Sequence, residues 1–138
     1  HFPETTVRAM GRGAHGVTGI RLRKDDEVVG FLVEEKDKEV LTITNLGYGK
    51  RTPPSEYRLT NRGGVGVTNI KLTDKNGIVA AVLPVGKDDE ALIITKEGVI
   101  VRIPVQQLST IGRNTQGVRA MRLDNNDTVV SVALVKDE

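Results

Sequence analysis

Short apolar runs separated by glycine-containing turns occupy most of the chain. In the central part these runs are rich in Val, Ile, Leu and Thr, and turns at Gly77 and Gly98 divide them. β-Branched residues between such turns are typical of strands joined in hairpins. No window of useful length has the periodicity and caps of a helix. The strands predicted for this part are Gly66–Leu72, Ile78–Leu83, Ala91–Thr95 and Val99–Ile103.

The same pattern occurs three times. The segments GRGAHGVTGIRL, NRGGVGVTNIKL and GRNTQGVRAMRL align, and the prolines at positions 3, 53 and 104 keep the same spacing. VVGFLV, VAAVLP and VVSVAL, at 28–33, 79–84 and 129–134, supply another matched element. Four strands in about 50 residues, repeated, are typical of propeller blades. We therefore predict one all-β, propeller-like domain over 1–138, with blades of about four strands at approximately 1–37, 38–88 and 89–138.

The stretch GRGAHG, at 11–16, matches the G-x-G-x-x-G fingerprint of dinucleotide-binding loops. That fingerprint needs a strand before it and a helix after it, because the helix N-terminus binds the pyrophosphate. The residues after it are strand-like, and only Gly16 has a glycine counterpart in both other copies, at Gly66 and Gly117. We interpret the stretch as a turn of the repeat rather than a nucleotide site.

Composition argues against several kinds of site. There is no cysteine, and His1 and His15 are the only histidines, so disulfides, thiolate metal sites and histidine-based catalysis are not expected. Tyr48 and Tyr57 have no nearby base in a recognisable pattern. No apolar run approaches the roughly 20 residues that span a bilayer. We expect no catalytic residue, no metal and no cofactor, in a soluble cytoplasmic protein.

The positions of the charges matter more than the net charge of +2. Cations recur at equivalent repeat positions, whereas carboxylates cluster in other loops, such as 25–27 and 88–90. Equivalent cations on successive blades are expected to form a basic arc that suits a phosphate backbone. The alternative for each arginine is that it braces a loop by binding backbone carbonyls. The predicted DNA-binding residues are Arg12, Arg21, Lys50, Arg51, Arg62, Lys71, Arg102, Arg113, Arg119 and Arg122.

Two stretches carry a family resemblance. GYGKRTPPSEYRLTNRGGVGVTNIKL from Gly47 and VIVRIPVQQLSTIGRNTQGVRAMRL from Val99 closely resemble the C-terminal domain of the DNA gyrase A subunit, with the topoisomerase IV A subunit as the close alternative. The resemblance implies a β-pinwheel, a propeller-like disc whose blades exchange strands and whose basic rim wraps double-stranded DNA during negative supercoiling. It further implies a bacterial, chromosome-associated type IIA topoisomerase whose catalytic tyrosine and ATPase lie in other domains, with the remainder of the A subunit and the B subunit as partners.

The family's glycine-rich box, Q-R-R-G-G-K-G, has a degenerate counterpart here. It comprises Thr60, Asn61, Arg62, Gly63, Gly64, Val65 and Gly66. The arginine and three glycines match, whereas the other three residues do not. Since the family has about six blades and this chain has three periods, it resembles the C-terminal half of the domain. The open edges of such a half predict self-association. The alternative function is a protein-interaction or autoregulatory propeller with little affinity for DNA.

Overall fold

The computed structural model describes residues 1–135, which form strands, turns and short 3₁₀ helices without an α-helix. The strands are β1 (Glu39–Thr44), β2 (Tyr48–Thr52), β3 (Val79–Val85), β4 (Glu90–Thr95), β5 (Ile100–Pro104), β6 (Val118–Arg119) and β7 (Val129–Val135). They form two antiparallel sheets, with orders β3-β1-β2-β6 and β5-β4-β7. The all-β class predicted from the sequence is confirmed.

The chain divides into two compact units. The first comprises His1–Glu27 and Tyr57–Val67, and the second comprises Val28–Glu56 and the chain from Thr68 onward. The first unit has no strand and is held by turns and backbone hydrogen bonds. The second contains both sheets. The predicted blades at 1–37, 38–88 and 89–138 follow other boundaries and stay a prediction, and residues 136–138 of the last one lie outside the described residues.

Two hairpins of the second unit, β1–β2 and β4–β5, are copies of one design. Their turns contain Gly47 and Gly98, both with a φ of +87°, a left-handed conformation that glycine adopts without strain. Each of these glycines donates its N–H to the carbonyl of the threonine that ends the preceding strand, Thr44 or Thr95. The hydroxyl of that threonine accepts a second backbone N–H at 3.1 Å in both copies. The sequence repeat is therefore also a repeat of hydrogen bonds.

The matched elements at 79–84 and 129–134 also occupy equivalent places. β3 pairs with β1, and β7 pairs with β4, and the register shifts after the fifth residue of β1 and of β4. The third matched element, VVGFLV at 28–33, forms no strand, and Phe31 within it is 84% exposed. Short 3₁₀ helices recur at the same spacing, at Glu4–Thr6, Pro54–Glu56 and Val105–Gln107.

Aliphatic side chains from both sheets of the second unit form its hydrophobic core. The fully buried members include Ile43 of β1 and Ile93 of β4, which lie one position apart in the alignment of the two hairpins. This cluster contains no aromatic ring, in agreement with the aromatic content of 3%, and the buried Tyr48 is not a member of it. The core residues are Leu41, Ile43, Val85, Ala91, Ile93, Ile103, Val105, Leu108, Met121, Val129 and Val132.

The strand predicted at Gly66–Leu72 is wrong, since these residues join no sheet. The backbone N–H of Lys71 donates instead to the carbonyl of Thr115 at 2.8 Å, in the loop of the following repeat. In the third copy only β6, two residues long, pairs with β2. A β-branched sequence is not sufficient for a strand when its hydrogen-bond partners are loop atoms. Residues 1–135 contain no helix long and apolar enough to cross a membrane.

Candidate nucleic-acid interface

Arg113, in the second unit, is a bidentate donor to two backbone carbonyls. Its Nε donates to the carbonyl oxygen of Glu56 at 2.6 Å, and its Nη1 donates to that of Thr68 at 2.7 Å. Both acceptors lie in the part of the sequence that precedes the arginine's own repeat. Arg113 is half-buried, so its guanidinium is used to brace the chain.

Arg62, in the first unit, makes the matching contacts. Its Nε donates to the carbonyl of Thr6 at 3.0 Å, and its Nη1 donates to that of Thr18 at 2.8 Å. These two acceptors are the counterparts, one repeat earlier, of the two that Arg113 binds. Two of the predicted DNA-binding arginines thus have the loop-bracing contacts that the sequence left open as the alternative.

The last glycine of the loop has the same backbone in all three copies. Gly16, Gly66 and Gly117 have φ values of +78°, +84° and +77°, where residues with a Cβ are strained. A Cβ on Gly117 would also lie 2.8 Å from the carbonyl oxygen of Gly49. This geometry accounts for the recurrence of the glycine. No helix follows Gly16, so the dinucleotide arrangement is absent from this loop.

Lys50 is completely buried. Its ammonium group donates to the carbonyls of Gly112 and Arg113 at 2.9 and 2.8 Å and to the hydroxyl of Thr115 at 3.2 Å. Burial, with a contribution from the Arg113 guanidinium, lowers the pKa of Lys50 to about 8. All three N–H donors of the protonated amine are engaged. Lys50 therefore fixes the 112–115 loop from inside, and we leave it out of the proposed contact surface.

Arg51 and Arg102 each pair with a glutamate across their hairpins. Arg51 contacts Glu39 at 3.3 Å and donates from Nε to the carbonyl of Leu108 at 2.8 Å. Arg102 pairs with Glu90 at the matching position. The Arg51 side chain is 13% exposed and that of Arg102 is 54% exposed. Their charges are largely compensated, which weakens both as phosphate ligands.

Four predicted residues are exposed cations. The side chains of Arg12, Arg21, Lys71 and Arg122 have no ion-pair or hydrogen-bond partner among the residues that the structure describes. Two of them have a fixed backbone, because the N–H of Arg21 binds the carbonyl of Gly64 and the N–H of Lys71 binds that of Thr115, both at 2.8 Å. Anchored main chain and uncompensated charge suit contacts to phosphate oxygens.

Arg119 belongs neither to the cations bound to carbonyls or glutamates nor to those without a partner in the described part of the chain. It is exposed, and its guanidinium donates to the phenol oxygen of Tyr48 at 3.0 Å. Lys75, which the sequence reasoning missed, lies 5.9 Å from the centre of the same ring. Lys75 has no basic counterpart in the other repeats, where Asp25 and Asn126 align with it, so a search for recurring cations passed over it.

The degenerate box residues line a shallow open depression within the first unit, together with Arg58. Gly63 and Gly66 have φ values of +78° and +84°, and Arg62 is committed to its two carbonyls. The chemistry offered there is a glycine-rich backbone next to one exposed arginine, Arg58. Within residues 1–135 no group of His, Asp or Glu side chains could hold a metal ion.

Comparison with known proteins gives consistent matches. A sequence model described as the DNA gyrase C-terminal domain, a beta-propeller, matches residues 1–33, 38–85 and 89–136. The chain is 47% identical over 139 aligned positions to the DNA gyrase A subunit of Staphylococcus aureus (strain MRSA252), covering 99% of this chain and 16% of that protein. The chain therefore spans about one sixth of that relative.

Two solved structures are also similar. The first, of the DNA gyrase A C-terminal domain, has a TM-score of 0.87 and 33% identity, covering 96% of this chain and 45% of the other. The second, of the C-terminal domain of DNA topoisomerase IV, has a TM-score of 0.88 and 25% identity, covering 98% and 42%.

Proposed function

Because the chain belongs to the DNA gyrase C-terminal domain family, we propose that it binds double-stranded DNA through backbone phosphates and bends the duplex. The family assignment confirms the resemblance inferred from the sequence, and with it the prediction of a non-catalytic, propeller-type domain of a type IIA topoisomerase. The proposal concerns what this domain does with DNA.

The observation that carries the proposal is the set of exposed cations without a carboxylate partner. Arg21, Lys71 and Arg122 hold the same position in successive repeats, and Arg119 adds a further exposed charge. Contacts of this kind position a duplex and tolerate any sequence, because they read phosphates and not base edges. The proposed contact residues are therefore Arg21, Lys71, Arg119 and Arg122.

The test is duplex binding measured by fluorescence anisotropy at several salt concentrations. The logarithm of the affinity falls with the logarithm of salt by about 0.9 per neutralised phosphate, so four contacts predict a slope of about −3 to −4. The variant Lys71→Gln with Arg122→Gln should reduce the slope by about 2 for every duplex sequence. Salt-independent binding, or equal slopes for variant and wild type, would rule the mechanism out.

A control variant separates specific contacts from net charge. Lys87→Gln with Lys36→Gln removes the same charge from exposed loop positions next to acidic residues. It should leave the slope within about 0.5 of the wild-type value, because these lysines are not among the proposed phosphate ligands. If both double variants lose affinity equally, the protein binds DNA only as a diffuse positive charge.

We further propose that DNA wrapping serves supercoiling in a longer bacterial protein. The matched relatives are A subunits of DNA gyrase, so the expected partners are the gyrase B subunit and the remainder of the A chain, in the bacterial cytoplasm. A full-length protein with the Lys71 and Arg122 substitutions should lose supercoiling before it loses relaxation of DNA. Equal loss of both activities would contradict a wrapping role.

We also propose that the chain self-associates through residues 28–33. The matched segments β3 and β7 are each paired with a hairpin, whereas 28–33 forms no strand and leaves Val28, Phe31 and Val33 exposed by 63%, 84% and 59%. Unpaired apolar edges of this kind pair with other chains. Sedimentation should show a dimer that Phe31→Ser weakens. A monomer at high concentration would refute the interface.

A further inference from the structure

Two cations of the second unit face one tyrosine ring. The guanidinium carbon of Arg119 lies 5.4 Å from the centre of the Tyr48 ring, and the Lys75 ammonium lies 5.9 Å from it. Both distances fall within the range of cation–π attraction. Tyr48 is only 7% exposed, whereas Arg119 and Lys75 are exposed. The buried ring thus has two solvent-accessible positive charges within 6 Å of its centre.

The fold fixes each member of this cluster. Tyr48 and Arg119 are directly opposite one another in the antiparallel pair β2–β6, where facing side chains contact. Lys75 belongs to a turn that is anchored by Asn76, whose side-chain amide donates to the carbonyls of Lys71 and Gln116 at 2.8 and 3.0 Å. Asn76 is completely buried. The fold therefore fixes the Tyr48–Arg119 pair and the backbone from which the Lys75 side chain extends.

The positive charges of the cluster are not neutralised by carboxylates of the described residues. Within residues 1–135 neither Lys75 nor Arg119 forms an ion pair with a carboxylate. The phenol oxygen accepts a hydrogen bond from Arg119 at 3.0 Å, so its own O–H is left to donate. Lys75 has three donors and Arg119 retains others besides the one given to Tyr48. Ammonium, guanidinium and phenol donors from three places in the sequence thus lie around one ring.

The pKa of the Tyr48 phenol is consistent with the two nearby positive charges. The hydrogen bond from Arg119 is the largest cause, and with the charges of Arg119 and Lys75 it lowers the pKa of Tyr48 below its ordinary value, although burial opposes the shift. The site is therefore electropositive enough to favour a negative oxygen at the position of the phenol.

We propose that Lys75, Arg119 and the Tyr48 hydroxyl form a binding site for a phosphate oxyanion, which a backbone phosphate of duplex DNA occupies when the domain binds DNA. That a DNA phosphate occupies the site rests on the proposed function, whereas the binding of a phosphate oxyanion does not. Two cations with a hydroxyl donor give charge and directed hydrogen bonds to the same group. Because the site is built once and not in every repeat, it gives the duplex a fixed point of contact.

The first experiment tests the site without DNA. The Tyr48 titration is obtained as the absorbance of phenolate in wild type minus that in Tyr48→Phe, with pyrophosphate and with sodium chloride at equal ionic strength. A bound anion disfavours phenolate, so pyrophosphate should raise the pKa of Tyr48, and Lys75→Gln should abolish that rise. An unchanged pKa in saturating pyrophosphate would overturn the site.

The second experiment tests the site with DNA. Lys75→Gln should reduce the salt slope of duplex binding by about 1, and Tyr48→Phe should weaken binding while leaving the slope unchanged. Lys87→Gln is the matched control and should have the wild-type slope. If wild type binds duplex but Lys75→Gln equals the control, the site does not contact DNA. If wild type fails to bind duplex, the proposed function fails and the pyrophosphate titration alone decides the site.

Discussion

Replacement of Arg113 by Ala measures how much a repeat-spaced arginine contributes to stability. The variant loses two hydrogen bonds from a charged donor, at 2.6 and 2.7 Å, and leaves the carbonyls of Glu56 and Thr68 without that partner. A hydrogen bond to a charged group contributes about 1.5–3 kcal/mol. Since Arg113 is only half-buried, the low end applies to each bond. The expected loss is about 3 kcal/mol in the free energy of unfolding.

The assay is urea unfolding followed by circular dichroism, with two further variants. Arg113→Lys keeps the charge but has no planar fork, so it should recover at most one of the two bonds, about half of the loss. Arg122→Ala removes an exposed arginine from the other predicted set and should change stability by less than about 0.5 kcal/mol. If Arg113→Ala is no more destabilising than Arg122→Ala, the two carbonyl contacts contribute nothing and the bracing role is refuted.

Three further sets of substitutions test backbone crowding, the Lys50 proton and side-chain burial. Gly98→Ala should cost about 1 kcal/mol for its left-handed backbone. Gly47→Ala should cost about 2 kcal/mol more, because its Cβ would lie 2.6 Å from the backbone carbonyl oxygen of Met121. Equal costs in urea unfolding would contradict the crowding argument. Above pH 8 the folded chain releases the Lys50 proton, whereas the unfolded chain keeps it. The free energy of unfolding of the wild type, relative to that of Lys50→Met, should therefore rise with pH from about 8 to about 10. Parallel pH profiles for the two proteins would contradict this prediction. Ile93→Ala should cost about 3–4 kcal/mol, whereas Ile100→Ala, at a 62% exposed position, should cost less than about 1 kcal/mol. Thermal unfolding measures both losses, and similar values would mean that burial does not determine the loss of stability.

Much of the fold could be predicted because the repeat encodes local geometry. The turn glycines, the apolar runs of the hairpins and the prolines before the 3₁₀ helices all recur at one spacing, and the structure puts each set at equivalent places. The prediction of a strand at Gly66–Leu72 was wrong because the residue pattern is typical of a strand, whereas the backbone N–H of Lys71 donates to a loop carbonyl, that of Thr115. Hydrogen-bond partners distant in sequence do not appear in a local pattern.

The candidate interface was harder to predict for a related reason. Recurrence identifies equivalent positions, but it does not distinguish Arg113, committed to carbonyls, from Arg122, which has no such partner among the described residues. Nothing in the sequence distinguished the buried Lys50 from the exposed lysines. Lys75 was missed because it does not recur. Such distinctions depend on tertiary contacts that only the fold establishes.

The arginine contacts have a consequence for how such a chain can lengthen. Arg62 and Arg113 each bind two carbonyls that lie in the preceding copy of the pattern, at matching residues. The acceptors are main-chain atoms, which every copy possesses whatever its side chains become. A tandem gene duplication would therefore produce a new copy already able to fasten itself to the one before it. Sequence drift could then change the surface charges of individual copies while their attachment persisted.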